Sequence, residues 1–281
     1  MNETITNDDP FCEQAMWAAL LNSNTTLFIK NPVAAATGAL MIPIGLVPTG
    51  EGPPLFMLCK AALCITGIGT AVFHSMSPAQ ASASGINYRL YDWLAITLMC
   101  ANIILLYLSN LLARAGEAAT IAVYVAAYLW MCFIITENDY MTYERHVGLM
   151  GSSGGRENFD TFMSLMLVGP LGVILGYCLL FRFRAADTVY LWINLVPCVG
   201  CWVVNAYLCE AHPWTSVLHA VFHLLVAFLF LHAACLGVTL DEGWEYAPAF
   251  LLPRIHRKEP TKVHGGWSMR VGRCKYKGIG V

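Results

Sequence analysis

Seven separate stretches of about 20 residues, almost free of charge, constrain this chain more than any other feature of it. They fall at roughly 30–48, 55–75, 90–112, 118–137, 159–181, 187–208 and 216–238. A helix of that length crosses the hydrocarbon core of a bilayer, and a helix satisfies its own backbone where no water can. The first stretch is the weakest, because "NPVAAATGALMIPIGLVP" is short and carries three prolines. Pro170, Pro197 and several glycines interrupt others, which spanning helices tolerate when neighbours re-satisfy the backbone. Only 12% of residues are charged, against about 25% in soluble domains, and 57% are hydrophobic. The expectation is an all-α integral membrane protein, a bundle of seven transmembrane helices. Its divisions are a segment at 1–29, the bundle at 30–238 and a basic tail at 239–281.

Lysine and arginine set the expected orientation. The tail holds Arg254, Arg257, Lys258, Lys262, Arg270, Arg273, Lys275 and Lys277. Seven spans put Arg114, Arg182 and Arg184 on the same side, and leave Lys30, Arg89, Arg145 and Arg156 on the other. The positive-inside rule then makes the tail cytosolic and the N-terminus lumenal or extracellular. The start "MNETITNDDP" has neither a positive n-region nor an apolar core, so it does not read as a cleavable leader. Two glycosylation sequons, at Asn2 and Asn24, fall on the lumenal side. A net charge of −2 argues against nucleic acid as a partner, and the sequence names no protein partner.

Most of the 11 cysteines sit inside the spans, where a thiol is a small apolar group. "CVGC" at 198–201 lies in a span and is a weak redox or metal signal. Cys12 and Cys209 differ, since both fall on the lumenal side, where oxidation is permitted. Whether they are bridged stays open at this point.

The polar residues near the lumenal ends of the spans are more informative. The second span runs outward and ends "GIGTAVFHSMSP", which puts His74 near its end and Thr70 one turn earlier on the same face. The third begins "YRLYDWLAI", with Asp92 near its start, and the seventh begins "TSVLHAVFHLL". His219 and His223 are four apart, so they stack on one helical face. The topology therefore brings His74, Asp92, His219 and His223 to one depth on one side. Ionisable groups inside a membrane are costly and mark functional sites. Three imidazoles with an open fourth position describe a catalytic zinc site. A carboxylate beside it suits proton transfer, and the Thr70 hydroxyl suits orienting a water or an oxyanion.

Blander readings compete. A single histidine in a span is more often a hydrogen-bonded core residue, and an Asp at a helix start also serves as a cap. His212 lies in the loop before the seventh span, within reach of the site. His232 is nine residues past His223, about half a turn round the helix, and reads as core. Glu210, Asp160 and "ENDYMTYERH" read as solvated loops, and His256 and His264 belong to the tail. No lysine lies in 216–238, so a retinal-binding pump or sensor, which needs a Schiff-base lysine in the seventh helix, is poorly supported.

"GIGTAVFH", the Asp opening the next span and "HAVFH" opening the seventh resemble the alkaline ceramidases. These are similar to GPI-anchor remodelling proteins and to adiponectin and progestin receptors, all in one superfamily of seven-helix membrane proteins. The resemblance implies zinc on His74, His219 and His223, with Asp92 as catalytic acid–base and Thr70 where the family has a serine. "DDPFCEQ" is similar to the family's "DWCEEN", which implies a Cys12–Cys209 bridge. It also implies Ca2+ ligands at Glu13 and, with a one-residue shift, Asp9. The remaining acidic calcium positions are Gln14, Ala15 and Phe28 here. The interval from His74 to Asp92 is longer than is usual in the family, with "SMSPAQASASGINYRLY" between them, and Trp93 stands where those proteins have Glu.

The implied activity is hydrolysis of the N-acyl bond of a ceramide-like lipid to a sphingoid base and a fatty acid, in the ER or Golgi membrane. Two alternatives carry different chemistry. One is a lipid esterase resembling the GPI-remodelling proteins, and the other a non-enzymatic seven-helix receptor with structural zinc.

Overall fold

The computed structural model describes residues 12–21, 29–76, 80, 83–84, 88–112, 122, 125–126, 129, 185–209, 211–240, 243–247, 249 and 252–258. Most of these are helical. The helices are α1 (Glu13–Leu21), α2 (Pro32–Leu46), α3 (Pro54–Ser75), α4 (Tyr88–Leu112), α5 (Ala185–Leu208) and α6 (Ser216–Val238). A single 3-10 turn, Pro213–Thr215, leads into α6. Among the described residues three helices are long and apolar enough to cross a membrane: Pro54–Ser75, Thr188–Leu208 and Pro213–Val238. Pro32–Leu46 and Leu94–Leu108 are shorter apolar helices. The expected span at 118–137 is described only at Ala122, Val125, Ala126 and Leu129, all helical and exposed. The expected span at 159–181 lies outside the described residues, as do Asn2, Asn24 and the tail beyond 258.

Local sequence accounts for several boundaries. Pro32 opens α2 and Pro54 opens α3, at positions where the missing N–H costs nothing. α6 is apolar on nearly every face, and accordingly it is the central helix, packed against α2 and α5 and touching α3 and α4. Its inner half contributes Ala227, Leu231, Cys235 and Leu236 to a core shared with Phe56, Leu63, Met99, Tyr107 and Leu191. Tyr107 reaches across from α4 to donate its hydroxyl to the Ala233 carbonyl at 2.9 Å, which satisfies a buried phenol. α3 and α5 turn Met57, Leu58, Ile65, Ile68, Val196, Val199 and Val203 outward. Such an apolar surface suits a bilayer rather than water.

Close contact between α2 and α3 depends on small residues, as is common between membrane helices. A Cβ on Gly38 would stand 2.9 Å from Thr70 Cγ2 and 3.0 Å from the Ala71 nitrogen. On α3, a Cβ on Gly69 would stand 3.2 Å from Asp92 Cα, so α4 also approaches closely at that level.

The two ends of the bundle are built differently. At one end Cys12 and Cys209 form a disulfide with Cα atoms 5.7 Å apart. It ties α1 to the C-terminus of α5, beside the turn before α6. At the other end the chain after α6 forms an antiparallel pair, β1 (Trp244–Ala247) and β2 (Arg254–Arg257). Both strands fall within 239–281, which the sequence marks only as a basic tail. Ile255 N–H donates to the Thr49 carbonyl at 2.7 Å, so β2 grips the α2–α3 connection. Gly50 there has φ of +106°, and a side chain would collide with the Ile255 carbonyl oxygen. His232 meets Tyr246 Oη at 2.7 Å through Nδ1 and stacks on Tyr190, the core role expected for it.

Candidate metal centre

His74 occupies the last turn of α3, and His219 and His223 the first two turns of α6. Their rings converge, with centroids 5.2 Å apart for His74–His219, 5.1 Å for His74–His223 and 4.5 Å for His219–His223. One ligating atom from each lies within 4.8 Å of the others, forming a cluster able to hold a metal ion. Nε2 of His74 and Nε2 of His219 are 3.4 Å apart. An ion bound tetrahedrally at roughly 2.0–2.1 Å holds its nitrogen ligands about 3.3–3.4 Å from one another. The His74–His219 spacing therefore fits two nitrogen ligands of a tetrahedral ion, with the third imidazole within 4.8 Å of both. None of the three side chains is more than 6% exposed.

Asp92 sits in the second turn of α4 rather than at its cap, and is 5% exposed. Thr70 Oγ1 donates to its Oδ1 at 2.7 Å. Thr70 lies one turn before His74 on α3, so this hydrogen bond joins α4 to α3 one turn from the His74 position. All four residues that the sequence brings to one depth are at the same end of the bundle. That end also carries the disulfide.

The calcium positions behave differently. Glu13 is 1% exposed, and its carboxylate accepts from Val33 N–H at 2.7 Å, Ala34 N–H at 3.2 Å and Trp17 Nε1–H at 3.2 Å. Those backbone groups are the second and third of α2, the donors an N-cap side chain ordinarily satisfies. Gln14 Nε2 donates to the Lys30 carbonyl nearby. Asp9 lies outside the described residues. His212, read as able to swing over the site, is exposed and packs beside Trp214.

Sequence reasoning missed three neighbours of the cluster. Trp202 of α5 lies 6.5 Å from the His219 ring and 5.4 Å from Phe222, forming an aromatic wall. Asn31 Nδ2 stands 3.4 Å from His74 Nδ1, and Thr37 Oγ1 stands 3.3 Å from His223 Nδ1. The available signal was slight: a lone threonine in an apolar helix, and an Asn–Pro pair at a helix start. Compared with protein-family models, with curated proteins and with solved structures, the chain matches none.

Proposed function

We propose that this chain is a zinc-dependent intramembrane amidase that releases a sphingoid base and a fatty acid from a ceramide-like lipid. The observation that carries the reading is the three-histidine cluster with a hydroxyl-bound carboxylate beside it, buried at one end of apolar helices. His74, His219 and His223 would hold the ion. When bound, zinc supplies a Lewis acid for the amide carbonyl and lowers the pKa of a coordinated water to about 7.

The chain's own residues supply the rest. Asp92 is the group that takes a proton and returns it to the departing amine, which must leave protonated. Thr70 spends its hydroxyl proton on Oδ1 of Asp92 and so fixes the direction in which the carboxylate points. Phe222 and Trp202 offer apolar surface beside His219 for an acyl or sphingoid chain entering from the bilayer. The lipid class rests on the resemblance in "GIGTAVFH" and "HAVFH"; the site chemistry serves an amide or an ester.

The reading includes a bundle of seven spans, with a lumenal N-terminus and a cytosolic tail in an ER or Golgi membrane. The Cys12–Cys209 disulfide supports this orientation, because it belongs on an oxidising side. Protein purified in detergent, assayed for bound zinc and for fluorescent ceramide hydrolysis, tests it. One zinc per chain with release of sphingoid base is the expected result. Release of fatty acid from ester lipids alone would replace the amidase by an esterase, and zinc without hydrolysis would favour a receptor.

A further inference from the structure

Neither Asn31 nor α2 carries chemistry in the sequence, yet Asn31 and Thr37 of α2 each meet one of the three imidazoles at Nδ1. His74 shows this most plainly: Nε2 faces His219, whereas Nδ1 faces Asn31. His223 meets Thr37 through Nδ1.

The Thr37 contact fixes a tautomer. A threonine hydroxyl has one proton, and in a helix it goes to a carbonyl of the preceding turn. Thr37 Oγ1 is 3.0 Å from the Val33 carbonyl oxygen and 3.1 Å from that of Ala34, both of which can only accept. Toward His223 the hydroxyl therefore presents a lone pair. A protonated Nδ1 meets that lone pair, with the Ala34 carbonyl a further acceptor for the ring, and in a neutral imidazole this leaves Nε2 bare for a metal.

Asn31 is placed for the same task by an exchange of roles. It stands at the N-cap of α2, but its side chain makes no capping bond, and Glu13 satisfies the helix N–H groups instead. Its backbone N–H donates to the carbonyl of His74 at 2.9 Å, which holds the two residues together. A half-turn of the carboxamide puts Oδ1 where Nδ2 stands, and the oxygen accepts from a protonated Nδ1.

We infer that Thr37 and Asn31 are positioning residues of the metal centre, each keeping the proton on Nδ1 of one imidazole so that Nε2 is the ligating atom. The inference rests on the metal reading above. Partners of this kind orient ligating histidines, and losing one commonly weakens metal binding roughly 10–100-fold.

Zinc affinity of the full chain in detergent, measured by competition with a chromophoric chelator, tests this without reference to turnover. Thr37→Val keeps the shape and removes the hydroxyl, and should weaken zinc binding roughly 10–100-fold with the stoichiometry at saturation unchanged. Thr37→Ser should restore it. Asn31→Leu should weaken binding similarly, and Asn31→Asp, whose carboxylate accepts from Nδ1–H, should retain it. Asn31 thus provides an independent measurement if a Thr37 variant does not fold. Parental affinity in both Thr37→Val and Asn31→Leu, with zinc abolished in His219→Ala, would overturn the positioning role and leave the metal centre standing. No zinc in the parent would instead overturn the metal reading itself.

Discussion

Thr70 on α3 and Asp92 on α4 are joined by a 2.7 Å hydrogen bond, hydroxyl to carboxylate, one turn before His74. The pair couples the helix that bears one imidazole to a buried carboxylate on α4. Replacing Asp92 by Asn should leave zinc bound and lower turnover by on the order of 10²–10⁴, the usual worth of a positioned acid–base. Single-turnover lipid hydrolysis beside a zinc assay checks both halves. Unchanged turnover would remove Asp92 from the chemistry.

Thr70→Ser should keep the hydrogen bond and most of the activity, whereas Thr70→Val should reduce turnover. The carboxylate would then lose its donor in a buried site, a loss of about 1–3 kcal/mol. Comparing kcat with thermal stability for the two variants separates a lost orientation from a damaged fold.

Glu13 is expected to act through α2. Its carboxylate serves the N–H groups of Val33 and Ala34, so Glu13→Ala should destabilise the protein by about 0.5–2 kcal/mol. The measurement is thermal unfolding in detergent with and without added calcium. A parent protein that calcium stabilises and a Glu13→Ala variant that it does not would instead assign Glu13 to a cation.

The disulfide closes a very long loop, since its cysteines are 197 residues apart. Cys209→Ala should cost roughly 2–5 kcal/mol and unlock α1 from the start of α6. Peptide mapping without reductant should recover Cys12 and Cys209 in one linked species. Recovery of both as free thiols would overturn the bridge.

Gly38→Ala tests the contact of α2 with α3 beside the site. The added methyl would meet both the Thr70 side chain and the Ala71 backbone nitrogen, which cannot turn aside. A cost of about 1–3 kcal/mol is expected, together with weaker zinc binding as Thr37 is pushed from His223. Full stability in this variant would mean the helices part more easily than their spacing implies.

Much of the site was legible in the chain because its signals are local. Four-residue spacing puts His219 and His223 on one face whatever surrounds them. Hydropathy places His74 and Asp92 near span ends, and the alternating direction of successive spans brings those ends to one side. Asn31, Thr37 and Trp202 carry no such signal, because each matters only through a partner far away in the chain.

Hydropathy by itself therefore determined that the chain is apolar and helical, and spacing determined which histidines could converge. Only the tertiary structure decided that α2 backs two of the imidazoles and that Glu13 caps α2 in place of Asn31. It also decided that residues after α6 turn back as β1 and β2 to hold the α2–α3 connection. Periodicity is a property of one helix, whereas a hydrogen bond between Thr37 and His223, 186 residues apart, exists only once packing has fixed which helices touch.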